Sequence, residues 1–211
     1  MIRSGGCETT IVRSNPVPPT QILSDPMKVV HITAFAARWH GSQTRKDAAK
    51  TAYITHPLMV ASMLQSVGCS QKTVIGGILH DVLEDTNCDE NEMMLAIGAE
   101  VTALVLEVTH NKYLSREQKH EKLCEQLPYM SKEACMIKVA DRTHNLRDLK
   151  DLERLPDGFT KEKVYDYARK SRQIYNIITR LGFGDQSLTT LSKFLDRAIR
   201  YIEELDDSAQ S

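Results

Sequence analysis

The segment QKTVIGGILHDVLED, residues 71–85, decides the fold class. At 100° per residue, Val74, Ile75, Ile78, Leu79 and Val82 share one face, and His80, Asp81, Glu84 and Asp85 share the opposite one. This is a helical period, and Ser70 stands where an N-cap is expected, so the spacing predicts a helix from Ser70 through Val82. If the run stays helical, Glu84 lies at i+4 from His80 and i+3 from Asp81, on the same side. Gly77, one turn back on the polar face, costs about 1 kcal/mol relative to alanine in a helix. Either a bulky group approaches there, a metal or another chain segment, or Gly76-Gly77 packs directly against a neighbouring helix.

The same period extends outward in both directions. Val29, Val30, Ile32, Ala36 and Ala37 begin an amphipathic helix ending near His40-Gly41. Pro57 fits the first turn of the next, with Val60, Met63, Leu64 and Val67 as its buried stripe and Gly68 as its stop. Asp89 starts a short helix interrupted by Gly98, and Val101, Leu104, Val105 and Val108 carry the following one. Ser115 opens a charged helix stopping before Pro128, and Ser131 a long one extending past Leu149. Two more cover about Lys161 to Leu181 and Asp185 to Leu205. No strand alternation, repeat or low-complexity segment interrupts this body. The expected fold is all-α, a single bundle of about eight to ten helices over residues 27–211. Residues 1–26, with Gly5-Gly6, Pro16, Pro18 and Pro19, have the composition of a flexible arm.

The 211 residues suffice for one core. With 27 Lys+Arg against 28 Asp+Glu, no global field draws the chain to nucleic acid or an anionic membrane. No apolar run approaches the roughly 20 residues that span a bilayer. Five cysteines without a CxxC pair read as reduced thiols, which points to the cytoplasm. A homo-oligomer is left open.

His80-Asp81 sets an imidazole beside a carboxylate, and two further segments offer partners. His56 precedes Pro57, which pushes its backbone out of the helical region and assigns it the capping position of its helix. Asp141 lies among Met136, Ile137, Val139 and Ala140, and a buried aspartate is costly unless paired or bound to a cation. An ion pair with Lys138 or Arg142 would also satisfy it. Together His56, His80, Asp81 and Asp141 form two nitrogens and two carboxylates, a set suited to one Mn²⁺, Fe²⁺ or Zn²⁺. Asn145, at i+4 from Asp141, could hold a phosphate or sugar hydroxyl. Arg45 and Lys46, on the loop leading to Tyr53 and His56, could hold phosphates. His31, His40, His110, His120 and His144 are assigned surface or structural roles, with His144 the nearest to the site.

In order, Arg45-Lys46, Tyr53-Ile54-Thr55-His56-Pro57, His80-Asp81-Val82-Leu83-Glu84-Asp85-Thr86 and Lys138-Val139-Ala140-Asp141-Arg142-Thr143-His144-Asn145 resemble the HD-domain hydrolases of the RelA/SpoT alarmone family. The resemblance runs from about Val29 to Leu149, and the chain length corresponds to the small stand-alone, Mesh1-like class. It implies that His56, His80, Asp81 and Asp141 are the metal ligands, with Mn²⁺ the usual ion. It implies that Glu84 and Asp85 position and deprotonate the attacking water, and that Arg45, Lys46, Tyr53 and Asn145 line the nucleotide pocket. The implied reaction is hydrolysis of the 3′-diphosphate of (p)ppGpp to GDP or GTP and pyrophosphate. Two stretches depart from the family pattern. Asp148 replaces a threonine after Asn145-Leu146-Arg147, and Thr109-His110-Asn111-Lys112 replaces a shorter run. An acid at 148 facing the pocket would repel phosphate. Hydrolysis of another nucleotide, such as NADPH or a 3′-phosphorylated nucleotide, and silent alarmone binding are the competing readings.

Overall fold

The computed structural model describes residues 26–156 and 158–210. The arm expected over residues 1–26, with Cys7, lies outside the described residues except for Pro26, which opens the first helix. In chain order the helices are α1 (Pro26–His40), α2 (Thr55–Ser66), α3 (Gln71–Leu79), α4 (Val82–Asp85), α5 (Glu90–Ile97), α6 (Ala99–Val108), α7 (Arg116–Gln126), α8 (Lys132–Asp148), α9 (Lys161–Leu181) and α10 (Gln186–Gln210). A 3-10 turn, Leu127–Tyr129, joins α7 to α8. Among the described residues the only strand-like pairing is an isolated antiparallel bridge between Thr44 and Ala52. None of these helices is long and apolar enough to cross a membrane.

Local chemistry places most boundaries. The side chains of Ser70, Asp89, Ser115 and Ser131 each accept from a backbone N–H three residues on, satisfying a donor that a helix start leaves open. Asp89 and Ser115 complete capping boxes with Glu92 and Gln118. Gly98, at φ 104°, takes the turn between α5 and α6 in a region closed to most side chains.

Four boundaries differ from expectation. The predicted third helix breaks at His80-Asp81 into α3 and α4, with Asp81 at φ −99° and ψ −6°. The Gly77 carbonyl, which in an unbroken helix accepts from the Asp81 N–H, accepts the His80 Nδ1–H at 2.8 Å. His56 lies inside the first turn of α2 rather than capping it, because the helix starts at Thr55 and first-turn positions tolerate proline without losing a hydrogen bond. Helix α8 stops at Asp148, before Leu149, while α10 continues beyond Leu205 to Gln210.

The long α8 is the hub, packing against α2, α3, α6, α9 and α10. One apolar cluster joins α2, α6, α8, α9 and α10 around Leu64, Ile137, Leu146, Ile174 and Leu195, all essentially inaccessible. A second, around Ile75, Ile78, Leu79, Val82, Met93 and Val105, joins α1, α3, α4, α5 and α6, with Ala61 of α2. The helical glycines serve close packing. A Cβ on Gly77 would lie 2.6 Å from Leu64 Cδ1 of α2, and one on Gly76 2.9 Å from Ile137 Cδ1 of α8. The bulky neighbour anticipated at Gly77 is therefore another helix.

Candidate metal and catalytic site

Helix α2, the α3–α4 break and α8 bring four predicted ligands to one point. His56 Nε2 lies 3.1 Å from Asp141 Oδ1 and 3.6 Å from Asp81 Oδ2. His80 Nε2 lies 3.1 Å from Asp81 Oδ2 and 3.8 Å from Asp141 Oδ1. His56, His80 and Asp141 offer ligand atoms all within 4.8 Å of one another. Both histidines are almost wholly buried, at 1% and 2% exposure. Asp141 meets His56 and Asn145 rather than pairing with Lys138 or Arg142; the Asn145 amide donates to its Oδ1 at 2.6 Å.

A divalent cation fits this cluster on a specific observation. His80 donates through Nδ1 to the Gly77 carbonyl, yet its buried Nε2 has no hydrogen-bond partner despite the nearby carboxylate. A buried polar atom without a partner costs about 1–3 kcal/mol. Here it points with other donors into a shared space, as metal ligands do. Without the ion, protons take its place electrostatically. Burial opposes charge on His80, but Asp81 and Asp141 prevail and hold its pKa up at about 9. Burial likewise opposes charge on both aspartates. His80, His56 and Tyr53 nevertheless lower Asp81, and His56 and His80 bring Asp141 down to about 2.

The acidic pair separates in space. The Tyr53 hydroxyl lies 2.8 Å from Asp81 Oδ2 and 3.0 Å from Asp85 Oδ2, so its single proton can satisfy one carboxylate at a time. Burial, followed by the charge of Asp81, raises the pKa of Asp85. Burial and the two aspartates also raise that of Tyr53, which keeps the phenol a donor. Glu84, on the same edge, has other partners. Its Oε1 accepts from Lys119 Nζ of α7 at 2.6 Å and its Oε2 from the His110 backbone N–H at 2.9 Å. Lys138, only 7% exposed, has its pKa lowered first by burial, against the charges of Asp141, Glu84 and Asp81.

The residues expected on the substrate side occupy different settings. Arg45 donates to Asn145 Oδ1 at 2.9 Å and to Asp148 Oδ2 at 2.7 Å, with its guanidinium 5.7 Å from the Tyr53 ring centre. Asp148 thus faces the pocket, as an ion-pair partner of Arg45. Lys46 stands exposed beside it. Three groups escaped sequence reasoning in these roles: His144, Lys119 and the His110 N–H. His144 Nδ1 lies 2.9 Å from His56 Nδ1, and burial pushes its pKa down to about 4. Its adjacency to Asn145 was the available signal; Lys119 and the His110 N–H carried none.

The chain is similar to several known proteins. A family model described as HD domain matches residues 33–184. The guanosine-3′,5′-bis(diphosphate) 3′-pyrophosphohydrolases MESH1 of Xenopus tropicalis and Homo sapiens are each 37% identical over 153 residues, covering 72% of this chain and 84% of theirs. The solved structure of a metazoan orthologue of SpoT, which hydrolyses ppGpp and plays a role in starvation responses, matches with a TM-score of 0.74 at 29% identity, covering 83% of this chain and 96% of that one. A crystal structure from Listeria monocytogenes EGD-e matches with a TM-score of 0.60 at 30% identity, covering 70% and 97%.

Proposed function

The chain belongs to the HD-domain family, with the MESH1 pyrophosphohydrolases among its relatives, and from that membership we propose that it hydrolyses the 3′-diphosphate of (p)ppGpp to GDP or GTP and pyrophosphate. It is a metal-dependent hydrolase, and Mn²⁺ is the ion proposed. The observation that carries this reading is the buried His80 Nε2, close to Asp81 without a well-formed hydrogen bond, converging with His56 and Asp141.

His56, His80, Asp81 and Asp141 would hold the ion. When bound, it lowers the pKa of a water and offsets charge on the phosphoryl group. Asp85 accepts the proton of the attacking water, because it has an open approach beside Tyr53 and a raised affinity for protons. The water oxygen attacks the phosphorus bonded to ribose O3′ and the P–O3′ bond breaks; the displaced O3′ takes a proton from solvent to become the nucleotide 3′-hydroxyl, and the pyrophosphate that now holds the water oxygen departs. Tyr53 orients Asp81 and Asp85, and Glu84, fixed by Lys119 and the His110 N–H, shapes the same edge. Arg45, Lys46 and Asn145 receive the nucleotide, Arg45 exchanging Asp148 for a substrate oxygen. The free thiols Cys69, Cys88, Cys124 and Cys135 fit a cytoplasmic setting.

A second reading is a different phosphorylated nucleotide such as NADPH, because Asp148, paired with Arg45, changes the group that meets the substrate and so the choice among phosphorylated nucleotides. Both readings are tested by incubating purified Mn²⁺-loaded protein with ppGpp, NADPH and 3′-phosphorylated nucleotides and identifying the products chromatographically. The alarmone reading expects GDP and pyrophosphate from ppGpp. Absence of pyrophosphate overturns it.

A further inference from the structure

A histidine that ligates a metal through one ring nitrogen carries its proton on the other, and that N–H needs an acceptor. For His80 the acceptor is the Gly77 carbonyl, 2.8 Å from Nδ1. For His56 the ring presents Nε2 to Asp141 and Asp81, so Nδ1 faces away from the ligand cluster. The atom it meets is His144 Nδ1, at 2.9 Å. The two rings are tilted by 53° with centres 4.9 Å apart, a crossing rather than a stack.

Two ring nitrogens at this distance share one proton: two N–H groups would collide, and two lone pairs would repel. If the proton sits on His144, His56 must carry its own on Nε2, and the nitrogen facing the carboxylates is closed to a cation. If it sits on His56 Nδ1, Nε2 is open. Resting on the metal-site reading above, we infer that His144 is a positioning residue for the metal centre: its Nδ1 accepts the His56 Nδ1–H, fixes the ligand tautomer and sets the ring's direction. His144 stands on α8, one turn beyond Asp141; the same Nδ1 lies 3.8 Å from Asp148 Oδ2, beyond hydrogen-bond reach, and that carboxylate is engaged by Arg45. One helix therefore supplies both a ligand, Asp141, and the acceptor that orients a ligand from α2.

The test compares His144→Asn with His144→Leu in the full-length, metal-stripped protein. These side chains are nearly equal in size and both lose the ring, but the asparagine oxygen occupies the position of the missing Nδ1. Calorimetric titration with Mn²⁺ should find His144→Leu weakened about 10–100-fold, the usual effect of losing such a partner. His144→Asn should recover most of that loss. Circular dichroism and thermal melts of the stripped proteins establish that both are folded; unfolding is expected of neither, since His144 is only partly buried. Equal Mn²⁺ affinities for the two variants, whether weak or strong, overturn the inference while leaving the hydrolase reading intact. Failure of the wild-type protein to bind any divalent ion would overturn both.

Discussion

Glu84 and Asp85 are neighbours in sequence with unlike surroundings. Asp85 shares the Tyr53 hydroxyl with Asp81, a proposed ligand, whereas both oxygens of Glu84 are engaged by Lys119 and the His110 N–H. Asp85→Asn should therefore keep its metal and lose about 10²–10⁴-fold in kcat, the usual range for a proton acceptor. Glu84→Ala should also retain metal and lose turnover. If Lys119 acts through Glu84, Lys119→Ala lowers kcat less, and the double variant is no worse than Glu84→Ala; additive losses would show that Lys119 acts separately. His80 sets the pH behaviour. Its pKa in the metal-free fold, about 9, lies above the unfolded value of about 6.5, so its stabilising contribution is whole below the lower figure and lost as pH rises through the higher. A cation must displace that proton, so Mn²⁺ affinity should fall as the solution is acidified from about pH 9, with proton release on binding at neutral pH. Titrations in buffers of different ionisation enthalpy measure this, and a binding heat independent of buffer would contradict it.

At the scale of elements, the site depends on how closely α3 approaches α2. The added methyl of Gly77→Ala would meet Leu64 Cδ1 at 2.6 Å, and the backbone of Ala61 lies 3.5 Å away. Leu64 is fully buried and has little room to yield. The substitution should cost about 1–3 kcal/mol in denaturant unfolding, as overpacked cores do. Because the Gly77 carbonyl also orients His80, Mn²⁺ affinity should fall with it. Unchanged affinity in a folded Gly77→Ala protein would separate packing from ligand placement. The helix starts were legible in sequence because capping is local: Ser70, Asp89, Ser115 and Ser131 act within three residues. The break at His80-Asp81 was not, because an unbroken apolar stripe through Val82 fits both a continuous helix and two helices sharing one buried face.

For the whole molecule, the four proposed ligands come from α2, the α3–α4 break and α8, so an ion bound there would cross-link segments that otherwise meet through apolar packing. Mn²⁺ at about one hundred times its Kd should add about 2.7 kcal/mol, a rise in Tm of roughly 5–10 °C for a chain of this size. Chelation should reverse the rise and Asp141→Ala abolish it; a melt insensitive to Mn²⁺ would argue against the site. Sequence alone determined the all-α class and singled out His56, His80, Asp81 and Asp141 as proposed ligands, because helical period and ligand chemistry are properties of residue type and short spacing. Only the tertiary structure decided which acid stands beside the ligands, that Asp148 pairs with Arg45, and that His144 meets His56. Lys119 reaches Glu84 across 35 residues and His144 reaches His56 across 88. Such distant pairings arise from how α7 and α8 pack around the core, which no local pattern encodes.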